Sequence, residues 1–286
     1  MSILVYLENW DGKFKKNTWE AASYAAQTAE MLNTEAVGVS IGNPSEDLSQ
    51  GGKYGLKKII EIKDESLAQF DANAYGKALA EVARQEDASV IVLSGTSNGK
   101  ALAPALSVFG EASLLSNVTQ LPLSTDPLTV KRGVFSSKGF NELSSNTSKS
   151  VIEFVPNSVA AEEKGGDAEM TTAEVAVDDT PRVKVEEVDR VKGQIPLPEA
   201  ERVVSGGRGL KGPENWKIIE ELAEALEAGT ACSKPVSDMD WRPHSEHVGQ
   251  TGITIKPDLY VAIGISGAIQ HLAGVSSSKT IVAINS

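Results

Sequence analysis

The stretch Val261–Gly274, VAIGISGAIQHLAG, decides how this chain is read. An apolar run breaks at Gly264-Ile-Ser-Gly267, resumes with small residues, and then carries Gln270 and His271. A run of this kind, followed by a glycine turn, marks a buried strand passing into a helix. In an open α/β sheet such a junction suits a pyrophosphate, because the turn and the helix start present free N–H groups. Two readings of His271 stay open here: a core histidine satisfied by a backbone carbonyl, and a polar group set beside a ligand.

Two more glycine-rich segments lie in the same part of the chain. Ser205–Leu210 (SGGRGL) follows the strand-like Glu201–Ser205, and its Arg208 is either a phosphate clamp or a solvated arginine on a tight turn. Its spacing is not the GxGxxG fingerprint, so alone it does not decide. His247–Gly252 (HVGQTG) sets Gln250 and Thr251 between two glycines, where side chains and amides can converge on a planar polar group. Its flanks, Cys232-Ser-Lys-Pro235 and Trp241–His247 (WRPHSEH), gather Lys, Arg, His and Trp in an otherwise acidic chain. His244 and His247 have an i, i+3 spacing, but Cys232 is the only cysteine, so no metal site is expected.

Around these segments, strand-like and helix-like stretches alternate. Ser2–Glu8, Glu35–Ile41, Lys57–Ile62 and Ala88–Ser94 read as strands, with helices over Asn17–Asn33, Asn73–Arg84 and Lys100–Phe109. The turn Gly95–Gly99 reads as a plain strand–helix connection. This βαβα rhythm implies a parallel sheet with helices on its faces. From about Ser113 the helices cease, and Val118–Leu123, Thr129–Ser136 and Ser150–Val155 read as strands added at one edge. Ala160–Asp179 shows no amphipathic helix, and Val183–Val191 (VKVEEVDRV) alternates like a last edge strand. Gly193–Ala200 (GQIPLPEA) reads as a linker. Beyond it come a helix over Pro213–Ala228 and strands at Leu259–Ile263 and Thr280–Asn285. The fold expected is α/β, with two doubly wound parallel-sheet domains: residues 1–192, a hinge at 193–200, and a Rossmann-like domain at 201–286. Because the chain stops just after the buried-looking TIVAIN, that last domain is expected to lack its closing elements.

Length and composition agree with two soluble domains: 286 residues, 41% hydrophobic and 23% charged. A net charge of −12 disfavours non-specific binding to nucleic acid or to anionic membrane. One cysteine excludes an internal disulfide. The N-terminus MSILVYLENWDG has no basic n-region, and no apolar run reaches the roughly 20 residues needed to span a bilayer. No membrane insertion and a bacterial cytoplasmic location are therefore expected.

Taken together and in order, VVSGGRGLK (Val203–Lys211), VGQTG (Val248–Gly252), VAIGISGAIQHLAG and SKTIVAIN resemble the alpha subunit of electron transfer flavoproteins. The resemblance implies FAD in the second domain. It implies cofactor contacts from Arg208, Ser233 and Lys234, from the loop Val248, Gly249, Gln250 and Thr251, from Gly264, from Ser266, Gly267, Ala268, Ile269, Gln270 and His271, and from Asn285. Thr251 would face the flavin N5 side and His271 the O2 edge, so His271, Thr251 and Lys234 would tune the redox behaviour. A donor at the N1–C2=O2 edge favours the negative charge that reduction places there. Many members carry arginine where this chain has Lys234, which keeps the charge and loses the planar fork. They also continue past Asn285 with an aspartate on the adenosine ribose, so weaker FAD retention is expected.

By the same resemblance the first domain docks a beta subunit that carries AMP, making a heterodimer. The implied role is electron carriage, without an enzyme activity of its own, from acyl-CoA and related dehydrogenases in fatty acid β-oxidation to a quinone oxidoreductase or another flavoprotein. Two other readings stand beside it: a subunit of an electron-bifurcating, NADH-oxidising complex, and a non-redox nucleotide-binding regulator.

Overall fold

Strand β1 (Ser2–Tyr6) is buried at every residue, as a strand covered on both faces must be. In this computed structural model, residues 1–42, 44–135, 139–175, 185–187 and 196–286 are described. They divide into two units, Met1–Arg132 with Asn141–Val188, and Gly133–Phe140 with Asp189–Ser286.

After β1 come a small hairpin, β2 (Asn9–Trp10) and β3 (Lys13–Phe14), and helix α1 (Lys16–Met31). Next are β4 (Glu35–Ile41), β5 (Lys58–Ile62), α2 (Ala72–Gln85), β6 (Ala88–Ser94) and α3 (Ser97–Phe109). The strands β7 (Ser113–Val118), β8 (Ser124–Thr125), β9 (Leu128–Val134), β10 (Gly139–Ser144), β11 (Ser150–Phe154) and β12 (Glu169–Ala173) follow. They join one ten-stranded sheet in the order β10-β9-β7-β11-β6-β1-β4-β5-β12, with β8 paired to β9. From β7 to β12 along that order the pairing is parallel; β9 joins antiparallel.

Helix α1 packs on one face of the sheet through Ala21, Ala22, Ala25, Ala26 and Ala29, whose small side chains let the helix lie close to Ile3, Val5 and Leu7. Helices α2 and α3 cover the other face, against Leu4, Tyr6 and Ile91. Each of those two has a side-chain cap. Asp71 accepts from the amides of Asn73 and Ala74, and Thr96 accepts from the amide of Gly99, so orphan N–H groups of the first turn are satisfied. Tyr24 of α1 stacks on Phe154 of β11 with ring centroids 5.1 Å apart.

The second unit holds β13 (Arg202–Gly206), α4 (Lys217–Ala225), β14 (Gly229–Cys232), α5 (Lys234–Asp238), β15 (Leu259–Ile263), α6 (Ile269–Val275) and β16 (Thr280–Ile284). Its four strands are all parallel, in the order β14-β13-β15-β16. Alternation along each strand sends Val203, Tyr260 and Ala262 to one face, with Val275 of α6, and Val204 and Val261 to the other, with Ile219 of α4.

The second sheet and the first from β7 to β12 are parallel with helices on their faces, as the βαβα rhythm implied, and the differences from the sequence reading lie in placement. Ser150–Phe154 is no edge strand: it sits between β7 and β6, parallel to both. The hairpin β9–β10 carries the chain out, and β11 then fills the gap left by the crossover through α3. Nothing local in the sequence encodes that return. The extended segment read as Val118–Leu123 ends at Val118 and begins at Ser113. Glu169–Ala173, within the stretch read as having no amphipathic helix, pairs with β5 at the opposite edge. Val183–Val191 and the start of the linker fall largely outside the described residues; Leu197 and Ala200 at its end are buried in the second unit's core. The helix read as Pro213–Ala228 begins with a short 3-10 turn at Pro213–Asn215, and the α-helix itself starts at Lys217. Thr280–Ile284, apolar enough to read as buried, is an edge strand exposed at all five positions.

Because Phe154 is fully buried and stacked on Tyr24, Phe154→Ala should cost about 3–5 kcal/mol of stability. Urea unfolding would show it as a lower midpoint with an unchanged m-value; a loss under about 1 kcal/mol would contradict this packing.

Candidate functional site

A doubly wound sheet has its crevice at the carboxyl ends of the strands, where the strand order reverses. This chain has two such points, and their electrostatics differ. In the first unit the reversal lies between β1 and β6. There the Glu8 carboxylate accepts from Thr96 Oγ1 at 2.7 Å and Asn98 Nδ2 at 3.0 Å, at the start of α3. Glu8 and Glu153 are 8% and 4% exposed. A crevice closed by buried carboxylates repels a phosphate.

In the second unit the reversal lies between β13 and β15, and two glycine loops cross there backbone on backbone. Gly207 N–H donates to Ile263 O at 2.8 Å, and Gly209 N–H donates to Gly264 O at 2.9 Å. A Cβ on Gly207 would lie 2.1 Å from Gly264 O, and one on Gly209 would lie 2.7 Å from Gly264 Cα. Gly264 itself takes φ 65°, which glycine adopts without strain. Side chains are therefore excluded from the crossing.

Parallel register carries every segment singled out from the sequence to this one edge. Gly206 pairs with Cys232 and with Ile263, and Ile263 pairs with Ile284. Arg208, Ser233–Lys234, Gly264–Gln270 and Asn285 therefore all leave the sheet on the same side. The fifth segment is tied in by hydrogen bonds: Val248 N–H to Cys232 O at 3.0 Å and Gln250 N–H to Gln270 O at 2.7 Å. Arg208, Lys234, Gln250, Thr251, Ser266, Gly267, Ala268, Ile269, Gln270 and Asn285 are exposed, and Gly264 is half-buried. Ser233, Val248, Gly249 and His271 are buried. Asn285 reaches Ile265 O at 3.5 Å.

The amides of Ser266, Gly267 and Ala268 have no protein acceptor among the described residues. Gly267 holds φ 70° with nothing within 4 Å of a Cβ position, so this backbone is open toward solvent. Arg208, Lys211 and Lys234 are exposed and have no ion-pair partner among the described residues. Three cations without an ion-pair partner among the described residues and a run of free amides favour an anion at this edge, in a chain of net charge −12.

His271 lies below this surface. Its Nε2 is 2.7 Å from the Tyr260 hydroxyl, inside the core. Burial holds its pKa below the usual histidine value; the Val248 carbonyl opposes that shift, and His247 adds to it. His247 is also buried, its ring beneath both glycines of the loop: a Cβ on Gly249 would lie 3.3 Å from Nε2 and one on Gly252 2.8 Å from Nδ1. Its pKa is lowered by burial first, then by Lys234, with Asp238 opposing and His244 adding. His244 Nδ1 stands 2.9 Å from Ser237 Oγ. Among the described residues no group of three His, Cys, Asp or Glu could hold a metal, and no helix is long and apolar enough to cross a membrane.

Sequence reasoning passed over Tyr260, and weighed His247 only as a metal ligand beside His244. The signal for Tyr260 was present: in LYVAI it alternates onto the face that His271 packs against. Nothing local marks His247 as a prop.

Residues 3–180 match the electron transfer flavoprotein domain, and residues 196–276 match the electron transfer flavoprotein FAD-binding domain. The chain is 33% identical over 286 residues to electron transfer flavoprotein subunit alpha of Bacillus subtilis, covering 99% of this chain and 87% of that one. Against the subunit alpha of Syntrophomonas wolfei it is 33% identical over 288 residues, covering 98% and 88%. Against that of Paracoccus denitrificans it is 32% identical over 291 residues, covering 100% and 90%. FAD is the cofactor of the matched domain, and the free amides and cations of this edge fit its pyrophosphate.

Gly207→Ala should cost about 1–3 kcal/mol through overpacking at the crossing; an unchanged denaturation midpoint would show the loops to be less tightly crossed. The two lowered histidines set a pH dependence. Below about pH 6.5 the unfolded chain binds protons that the folded chain refuses, so stability falls as pH drops from there. The His247→Gln/His271→Gln double variant should flatten that slope in pH-resolved unfolding; an unaltered slope would assign it to other groups.

Proposed function

The chain belongs to the electron transfer flavoprotein alpha-subunit family, and on that premise we propose that it carries electrons through FAD held at the carboxyl edge of its β14-β13-β15-β16 sheet. The observation that supports this most is the arrival of five sequence segments at one crevice whose cations and amides are unpaired among the described residues. When bound, FAD supplies the electron transfer; the residues here bind it, orient it and set its electrostatic surroundings.

In this reading Arg208 clamps the phosphates from one side of the crossing, and the amides of Ser266, Gly267 and Ala268 hold them from the other. Ser233 and Lys234 flank the crevice at the end of β14, with the lysine contributing positive charge. Val248, Gly249, Gln250 and Thr251 lie against the ring, with the Thr251 hydroxyl as donor, and Gly264 lets the cofactor approach the backbone. Ile269, Gln270 and His271 line the inner side of the ring site, and Asn285 stands at the far end, toward the ribityl and adenosine. Residues 201–286 form the FAD domain. Residues 1–192 dock a beta subunit that carries AMP, with 193–200 as the connection. Electrons arrive from acyl-CoA and related dehydrogenases and leave to a quinone oxidoreductase or another flavoprotein, in a bacterial cytoplasm.

The test is co-expression with a neighbouring beta subunit, followed by identification of the nucleotides released on denaturation. FAD and AMP in equal amounts are expected; a purified heterodimer without flavin absorbance would overturn the reading. Arg208→Ala should weaken FAD binding by about 1.5–3 kcal/mol, roughly ten- to a hundredfold in Kd. Full FAD occupancy of that variant after gel filtration in dilute buffer would contradict the clamp.

A further inference from the structure

Beneath the exposed edge runs a buried polar line of Ser205, Tyr260 and His271. Tyr260 is 1% exposed and Ser205 0%, on adjacent strands of the second sheet. The Tyr260 hydroxyl is 2.7 Å from His271 Nε2, with ring centroids 6.0 Å apart and planes tilted by 40°. A buried polar chain is kept only where its members satisfy one another, so the direction of each hydrogen bond follows from the groups at its ends.

Burial raises the Tyr260 pKa, so the phenol keeps its proton. That proton has one strictly placed acceptor, His271 Nε2. Ser205 Oγ, also buried, has no hydrogen-bond partner among the described residues, so it gives the phenol no second acceptor. The buried Tyr260 phenol thus gives its proton to His271, its one hydrogen-bond partner among the described residues. Nε2 is then the lone-pair nitrogen of the imidazole, and Nδ1 carries the hydrogen. Nδ1 is buried with no hydrogen-bond partner among the described residues, and the Val248 carbonyl favours a proton on the ring.

His271 therefore joins two parts of the site. On one side it is tied through Tyr260 to β15. On the other it meets the loop that presents Gln250 and Thr251. A Cβ on Gly249 would lie 3.1 Å from Gln270 O and 3.7 Å from His271 Cα, and one on Gly274 would lie 2.5 Å from Gly249 N. The ionisable groups nearest this line are His247 in the loop and Cys232 at the end of β14. His247 opposes a positive charge on His271, and Cys232 opposes ionisation of Tyr260. Burial pushes the Cys232 thiol up to about 12, so it stays neutral.

We propose that Tyr260 is a positioning residue that holds His271 as the neutral Nδ1–H tautomer and thereby sets the charge on the inner side of the FAD site. The tautomer stands on the protein geometry alone; its consequence for the flavin rests on FAD occupying the edge described above. With Nε2 occupied by the phenol, His271 acts on that side as a neutral dipole and adds no full positive charge at neutral pH.

The test is Tyr260→Phe, which removes one oxygen from a buried ring of the same shape, in the heterodimer with nitrogen-15-labelled histidine. Wild-type protein should show a protonated Nδ1 and an unprotonated Nε2 for His271, with and without FAD. The variant should show a mixed or reversed tautomer and an upward shift of the His271 titration midpoint. Its flavin midpoint potential should rise, most strongly at the lower end of the pH range. A wild-type Nε2–H tautomer overturns the proposal, as does a variant whose His271 signals and titration match wild type. A heterodimer that lacks FAD but shows the expected tautomer change removes the cofactor reading and leaves the positioning role standing. Normal FAD content with unchanged tautomer and potential does the reverse.

Discussion

The backbone crossing of Gly207 and Gly209 over Gly264 is the contact on which the candidate site depends. Two amide–carbonyl bonds of 2.8 and 2.9 Å close the floor of the crevice between β13 and β15. Positions where a Cβ would meet backbone atoms leave no room for side chains. This floor is made of main chain, with Leu210 and Ile265 packed on the cores to either side of it and Arg208 left in solvent. The free amides of Ser266–Ala268 also face solvent. The same economy of space recurs where Gly249 and Gly274 meet, seating the loop of Gln250 and Thr251 on α6.

The two halves of the chain share an architecture and differ in the charge at its natural binding point. At the first reversal of strand order a buried carboxylate accepts the donors that start α3. At the second, cations and amides stay uncommitted. Topology alone would nominate both crevices; charge selects one. The selected crevice also has a neutral interior, because burial keeps His247 and His271 from charging and Tyr260 from ionising. Positive charge is thus confined to the rim, where Arg208, Lys211 and Lys234 stand in solvent.

The glycine segments were legible because glycine at a strand end has few other uses, and three of them within one stretch of chain point to a common edge. Arg208 and Ser266–Gln270 came with them. Tyr260 did not, since a tyrosine in an apolar strand is ordinarily core, and its hydroxyl acquires meaning only from the residue facing it. The strands β12 and β14 were missed because EMTTA and GTAC carry weak local preference; their pairing with β5 and β13 makes them strands.

By itself the sequence determined the class of fold, the alternation of strand and helix, and the glycine segments that meet at one edge, since periodicity, glycine placement and residue chemistry are local properties. Only the tertiary structure decided where Ser150–Phe154 enters the first sheet, that Thr280–Ile284 lies exposed at an edge, and which nitrogen of His271 is committed to the core. Those depend on strand order and on contacts such as that between residues 260 and 271, whose distance in space the intervening sequence does not encode.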